Sequence, residues 1–134
     1  MTAWLMDKSA LIRWSSSLDA QLWIERAERG LLHVTTPTHL EIGYSARTVD
    51  EWDSLRTGAP AGDLVLTHLT PASERRAIEV QGLLAARGRH RAPSVADLLI
   101  AAVAETAGLT VLHVDKDFEL IAEATGQSVE RLRL

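Results

Sequence analysis

Short apolar runs alternate along this chain with stretches in which apolar residues recur every three or four positions, the signature of strands alternating with amphipathic helices. The first run, "TAWLM" (2–6), reads as a short buried strand ending at Asp7. "DKSALIRWSSSLDAQLWIERAERG" (7–30) reads as one or two helices stopped by Gly30, and "LLHVTT" (31–36) as a second strand. Thr36 followed by Pro37 supplies an N-cap and a first helical position, so "PTHLEIGYSA" is expected to be a helix carrying Glu41 in its second turn. A further helix, "VDEWDSLR" (49–56), runs into the loop "TGAPAGD". "LVLTHL" (64–69) then reads as a strand, Pro71 opens a helix over 72–87, and "RGRHRAP" (87–93) is an arginine-rich loop. In "SVADLLIAAVA" (94–104) Ser94 is the cap of a helix that Gly108 stops. "TVLHV" (110–114) is a buried strand, "DKDFELIAEAT" (115–125) a helix ended by Gly126, and "SVERL" (128–132) an edge strand.

This order predicts an α/β fold of one domain, residues 1–134, with a central, mainly parallel sheet flanked by helices on both faces. Composition narrows the setting. A length of 134 residues and a hydrophobic content of 46% suit one packed core. The start lacks the basic region and long apolar run of a signal peptide, and no apolar run reaches membrane-spanning length. With no cysteine there is no disulfide or thiolate metal site, and with no asparagine no N-glycosylation, so a cytoplasmic protein without membrane association is expected. A net charge of −4 supplies no global field for nucleic acid. Acids gathered in one place would produce that total while bases lie elsewhere.

The acids do fall in related places. Ligands of an open parallel sheet bind beyond the carboxyl ends of its strands. Asp7 follows the first strand, Asp115 and Asp117 follow "TVLHV", Asp97 lies on the first turn of its helix, and Glu41 on the helix after the second strand. Carboxylates brought together there would repel one another unless cations sit among them, and hard oxygen ligands suit magnesium or manganese. Each acid also has a plainer role. Asp7 and Asp115 are natural N-caps, Ser94 and Asp97 have capping-box spacing, and Glu41 has the form of an exposed helix residue. The coincidence on one sheet edge is what favours a working site.

"LMDKSAL", "HLEIGY", "SVADLLIAAVA" and "LHVDKDF" occur in the order and approximate spacing of the PIN domain, and the chain resembles the VapC toxins of bacterial toxin–antitoxin modules from Asp7 to Phe118. The resemblance implies an acidic quartet of Asp7, Glu41, Asp97 and Asp115, with Asp117 as a supporting acid and Ser9 as a polar neighbour of the metal site. It further implies a magnesium- or manganese-dependent endoribonuclease that cleaves phosphodiester bonds with metal-activated water. Its implied partners are RNA, a cognate VapB-like antitoxin that places an arginine among the carboxylates, and a second copy in a homodimer. One departure is Lys8, where many relatives have threonine. Lys8 is expected to point away from the metals.

Substrate needs positive charge near such a site. Arg87, Arg89, His90 and Arg91 precede Ser94 and are candidates for holding phosphates, although a solvated loop explains them equally well. Trp14, Trp23 and Trp52 fall on predicted helices, as core residues or as anchors for a partner. The histidines lack the spacing of a zinc enzyme. Two rival functions share the fold class. A receiver-type phosphotransfer domain needs an aspartate after its middle strand, which "LVLTHLT" does not offer, and a dehalogenase-like phosphatase needs an aspartate where Ser9 stands. A non-catalytic PIN-like interaction module is the other, which retention of all four acids disfavours.

Overall fold

The computed structural model describes residues 1–134. Five strands, β1 (Trp4–Met6), β2 (Leu32–Val34), β3 (Val65–Leu66), β4 (Thr110–His113) and β5 (Val129–Arg131), form one sheet in the order β3-β2-β1-β4-β5. Every neighbouring pair is parallel. The chain leaves β1 toward β2 and β3 and later returns to β4 on β1's other side, so the strand order reverses between β1 and β4. That reversal opens a crevice beyond the carboxyl ends of these two strands.

Helices cover both faces: α1 (Lys8–Leu11), α2 (Ala20–Glu28), α3 (Thr36–Tyr44), α4 (Val49–Thr57), α5 (Pro71–Ala86), α6 (Val95–Ala107) and α7 (Lys116–Thr125). In register, Leu5 lies beside Val111 and Met6 beside Leu112. The two-residue period of a strand sends these pairs to opposite faces. Leu5 and Val111 enter a core with Leu84, Ile100, Phe118 and Ile121, whereas Trp4, Met6 and Leu112 enter a second core with Leu11, Trp23 and Ile42. The helix α6 is apolar all round because it packs against α3, α5, α7 and the strands β1 and β4.

Several boundaries differ from those expected. The stretch 7–30 becomes α1, a 3₁₀ turn at Trp14–Ser16 and α2, because Ser15 to Ser17 interrupt the helical pattern. Thr35, not Thr36, caps α3, and Pro37 occupies its second helical position; the Thr35 hydroxyl accepts from the Thr38 N–H at 3.4 Å. The strand expected over 64–69 pairs only through Val65 and Leu66. It is an edge strand with both side chains exposed, so little holds more of it in the ladder. Gly108 and Gly126 end α6 and α7 with φ of +72° and +75°, the left-handed caps expected of them.

Candidate active site

Asp7 stands directly after β1 and caps α1, with only 4% of its surface exposed. Its Oδ2 accepts from the Ser9 N–H at 3.0 Å and the Ser9 hydroxyl at 2.6 Å. The same hydroxyl oxygen accepts from the Val114 N–H at 2.9 Å, so Ser9 joins the end of β1 to the end of β4. Asp115 caps α7 by accepting the Asp117 N–H on Oδ1 at 2.9 Å. Ser94 and Asp97 form a reciprocal capping box at the start of α6, with both bonds at 3.1 Å. The plainer roles of these acids are therefore real. They do not compete with a site, because a cap fixes one carboxylate oxygen against the backbone and leaves the other outside it.

Caps on adjacent elements aim the carboxylates together. One oxygen from each of Asp97, Asp115 and Asp117 lies within 4.8 Å of the others. Asp7 and Glu41 stand outside that tight trio but share its field. The Asp97 carboxyl is pushed up to about 6, first by burial and further by the charges of Asp7 and Asp115, against the hydrogen bond from the Ser94 backbone. Glu41 is raised by burial and by Asp7 and Asp97, with Lys8 opposing. Its Oε1 is buried without a hydrogen-bond partner. Asp117 is raised by burial and by Asp115, while Lys116 and then Arg89 draw it down. A half-buried glutamate with an orphan oxygen, beside acids that resist ionising together, is a site short of positive charge.

Lys8 departs from expectation. It lines the same cavity as Glu41, together with Pro37, Leu40, Tyr44 and Leu99, so it faces the rim of the acidic edge. Arg87, Arg89 and Arg91 are exposed, and of the three Arg89 is near enough to Asp117 for its charge to act on that carboxyl. Trp23 is core, edge-on to Trp4 at 5.2 Å, and Arg26 covers both rings. Trp14 is partly buried on its 3₁₀ turn, and Trp52 is 44% exposed on α4.

One residue of the site escaped the sequence pattern. His113, the last residue of β4, is fully buried, and its Nδ1 accepts the Asp115 N–H at 3.1 Å. That bond assigns the ring proton to Nε2, which has no partner. Burial lowers its pKa, so the ring stays neutral and keeps the acceptor that fixes the backbone of Asp115. The available signal was a histidine closing a buried strand two positions before an acid.

An all-parallel sheet whose switch-point crevice gathers capped carboxylates defines an α/β protein with a hard-oxygen, anionic site. Known proteins of similar sequence and fold agree with that class. The PIN domain model matches residues 5–124. The chain is 54% identical over 129 residues to Ribonuclease VapC2 of Mycobacterium tuberculosis, covering 96% of this chain and 92% of that protein. It is 44% identical to Ribonuclease VapC51 of the same species, covering 92% and 88%. Among solved structures, VapBC-5 of Mycobacterium tuberculosis superposes with a TM-score of 0.67 at 25% identity over the full length of both chains. DNA-bound VapBC of Salmonella typhimurium gives 0.76 at 17% identity, with 98% of each chain covered, a likeness of fold. The chain belongs to the PIN-domain family and, within it, to the VapC ribonucleases.

Proposed function

We propose that this protein is a divalent-metal-dependent endoribonuclease acting in the cytoplasm as the toxin of a toxin–antitoxin module. The observation that carries the reading is the convergence of Asp97, Asp115 and Asp117 within 4.8 Å beside the orphan oxygen of Glu41. This all-oxygen donor set fits magnesium or manganese. Asp7, Glu41, Asp97 and Asp115 would hold the ion, with Asp117 supporting. A divalent ion there supplies activation of water and neutralisation of charge on the phosphodiester. The chain's own part is to fix the acids: Ser9 orients Asp7, the Ser94 box orients Asp97, and His113 orients Asp115. Ser9 is engaged at both its donor and its acceptor, which suits a positioning role and disfavours a phosphatase reading.

Structural neighbours solved as VapBC complexes support a cognate antitoxin as partner; that it blocks the site with an arginine standing in for the cation, and that the toxin assembles as a homodimer, follow from the family resemblance. No helix is long and apolar enough to cross a membrane. The test is purified chain with total RNA. Cleavage is expected with magnesium or manganese, abolished by a chelator and restored by the metal. A non-catalytic module on this fold would leave the RNA intact under every condition.

The arginine loop has its own expected result. Replacing Arg87, Arg89 and Arg91 together by alanine weakens binding of single-stranded RNA and lowers the slope of log affinity against log salt by roughly 0.7 for each phosphate no longer neutralised. Metal binding survives. Unchanged affinity and slope in the triple variant would return the loop to solvent.

A further inference from the structure

A second cleft, of about 260 Å³ between α3, α4 and β3, shares Leu40 as a wall with the cavity of Glu41. The volume is below the roughly 300–1,000 Å³ of ordinary small-molecule sites. Trp52 and Leu66 form its apolar walls, and Thr36, His39 and Arg56 supply its polar groups. Trp52 is seated there by the absence of a side chain opposite. A Cβ on Gly43 would fall 2.8 Å from the Trp52 Nε1, so only glycine lets the indole lie against α3 in this way. The ring remains 44% exposed, while Trp4 and Trp23 are buried in the core.

Arg56 provides the matching charge. Its guanidinium lies over one face of the Trp52 ring, 5.5 Å from the centre, which leaves the other face to a stacking partner, and it joins none of the chain's salt bridges. Burial and the neighbouring Arg56 lower the pKa of His39, which leaves a neutral ring able to donate or accept a hydrogen bond. Arg89 acts on Asp117 from the loop before α6, and Arg56 adds a second cationic group in the cleft that shares Leu40 with the cavity of Glu41. A polyanion drawn across an acidic edge requires such groups.

We propose that the Trp52–Arg56 cleft is a subsite for single-stranded RNA, in which one base of the substrate stacks on Trp52 and its phosphate meets Arg56. The inference rests on the ribonuclease reading and adds a position at which the substrate is held beside the cut. Aromatic stacking accepts any base, so the subsite sets affinity first and preference second. An acidic segment of a protein partner would also use Arg56, but the cleft shares the Leu40 wall with the cavity of Glu41, which places it next to the acidic edge where RNA is cut.

The test uses the Asp97→Asn chain, which keeps substrate uncut, and a short fluorescein-labelled single-stranded oligoribonucleotide of random sequence, read by anisotropy. Trp52→Ala is expected to weaken binding on the order of 5- to 100-fold without changing the salt slope, and Trp52→Phe to restore most of it. Arg56→Ala lowers the slope by about 0.7. Gly43→Ala, which keeps the ring but displaces it, also weakens binding, and melting curves show each variant folded. In the parent background, Trp52→Ala raises KM more than it lowers kcat and redistributes the cuts in total RNA. Unchanged binding and cut sites in Trp52→Ala and Gly43→Ala overturn the subsite while leaving the ribonuclease intact. Loss of antitoxin binding with RNA binding unchanged overturns it in favour of a protein-docking surface. A parent chain that neither binds nor cleaves RNA overturns both readings.

Discussion

Asp97→Asn is expected to abolish metal-dependent RNA cleavage in a chain that still folds. The two roles of this residue make the substitution informative. As a cap, Asp97 accepts the Ser94 N–H on Oδ2 and donates its own N–H to the Ser94 hydroxyl. Asparagine preserves both, since its carbonyl oxygen accepts and its backbone is unchanged, and it ranks beside aspartate among residues that make such bonds. What it removes is a negative charge from an oxygen cluster 4.8 Å across. Removing a group that only supports a metal ligand typically costs roughly 10- to 100-fold, so loss of a ligand charge should cost on the order of 100-fold or more. Expression of parent and variant in cells, followed by mapping of new RNA ends, measures the difference. If the capping box were the whole purpose of Asp97, the variant would cut like the parent.

The sequence showed much of this arrangement, for reasons that vary by residue. Ser94, Gly108 and Gly126 act through local backbone chemistry, a cap or a positive φ, which the chain carries in itself. Asp7 and Asp115 were legible because each stands within two residues of the end of a buried strand, and strand ends of a parallel sheet share an edge. The limits of β3 were not legible. Val65 and Leu66 look like the start of a longer strand, but only the edge of the completed sheet decides how far pairing runs. Lys8 escaped for a similar reason: its position on a four-residue helix gives no periodic face, and only the packing of α3 across from it puts it beside Glu41. Trp52 looked like core or anchor equally, and the glycine that seats it lies on another helix.

Relative to Asp97→Asn, the metal-free parent is expected to lose stability as pH rises from about 4 to about 7, and magnesium to restore it. The sign follows from the site's acids. Asp97, Glu41 and Asp117 all have pKa values raised on folding, with burial the first cause in each and neighbouring carboxylates adding to it. A raised acid binds more protons folded than unfolded, so its contribution is favourable to folding at low pH and is lost as pH climbs from the unfolded value through the folded one. For Asp97 that window runs from 3.8 to about 6, and the loss approaches about 3 kcal/mol at 1.36 kcal/mol per unit. A difference measurement removes the other titrating groups. With a chelator present, parent and Asp97→Asn should melt together near the bottom of the window. By neutral pH the variant should melt several degrees higher, because its amide carries no charge to bury. Magnesium then reverses the order once it is well above saturation, since an ion that binds the folded parent at 1,000 times its Kd adds about 4.1 kcal/mol, and the variant lacks a ligand for it. Melting curves that stay parallel across the window, or a parent indifferent to magnesium, would show that these acids do not share a cation.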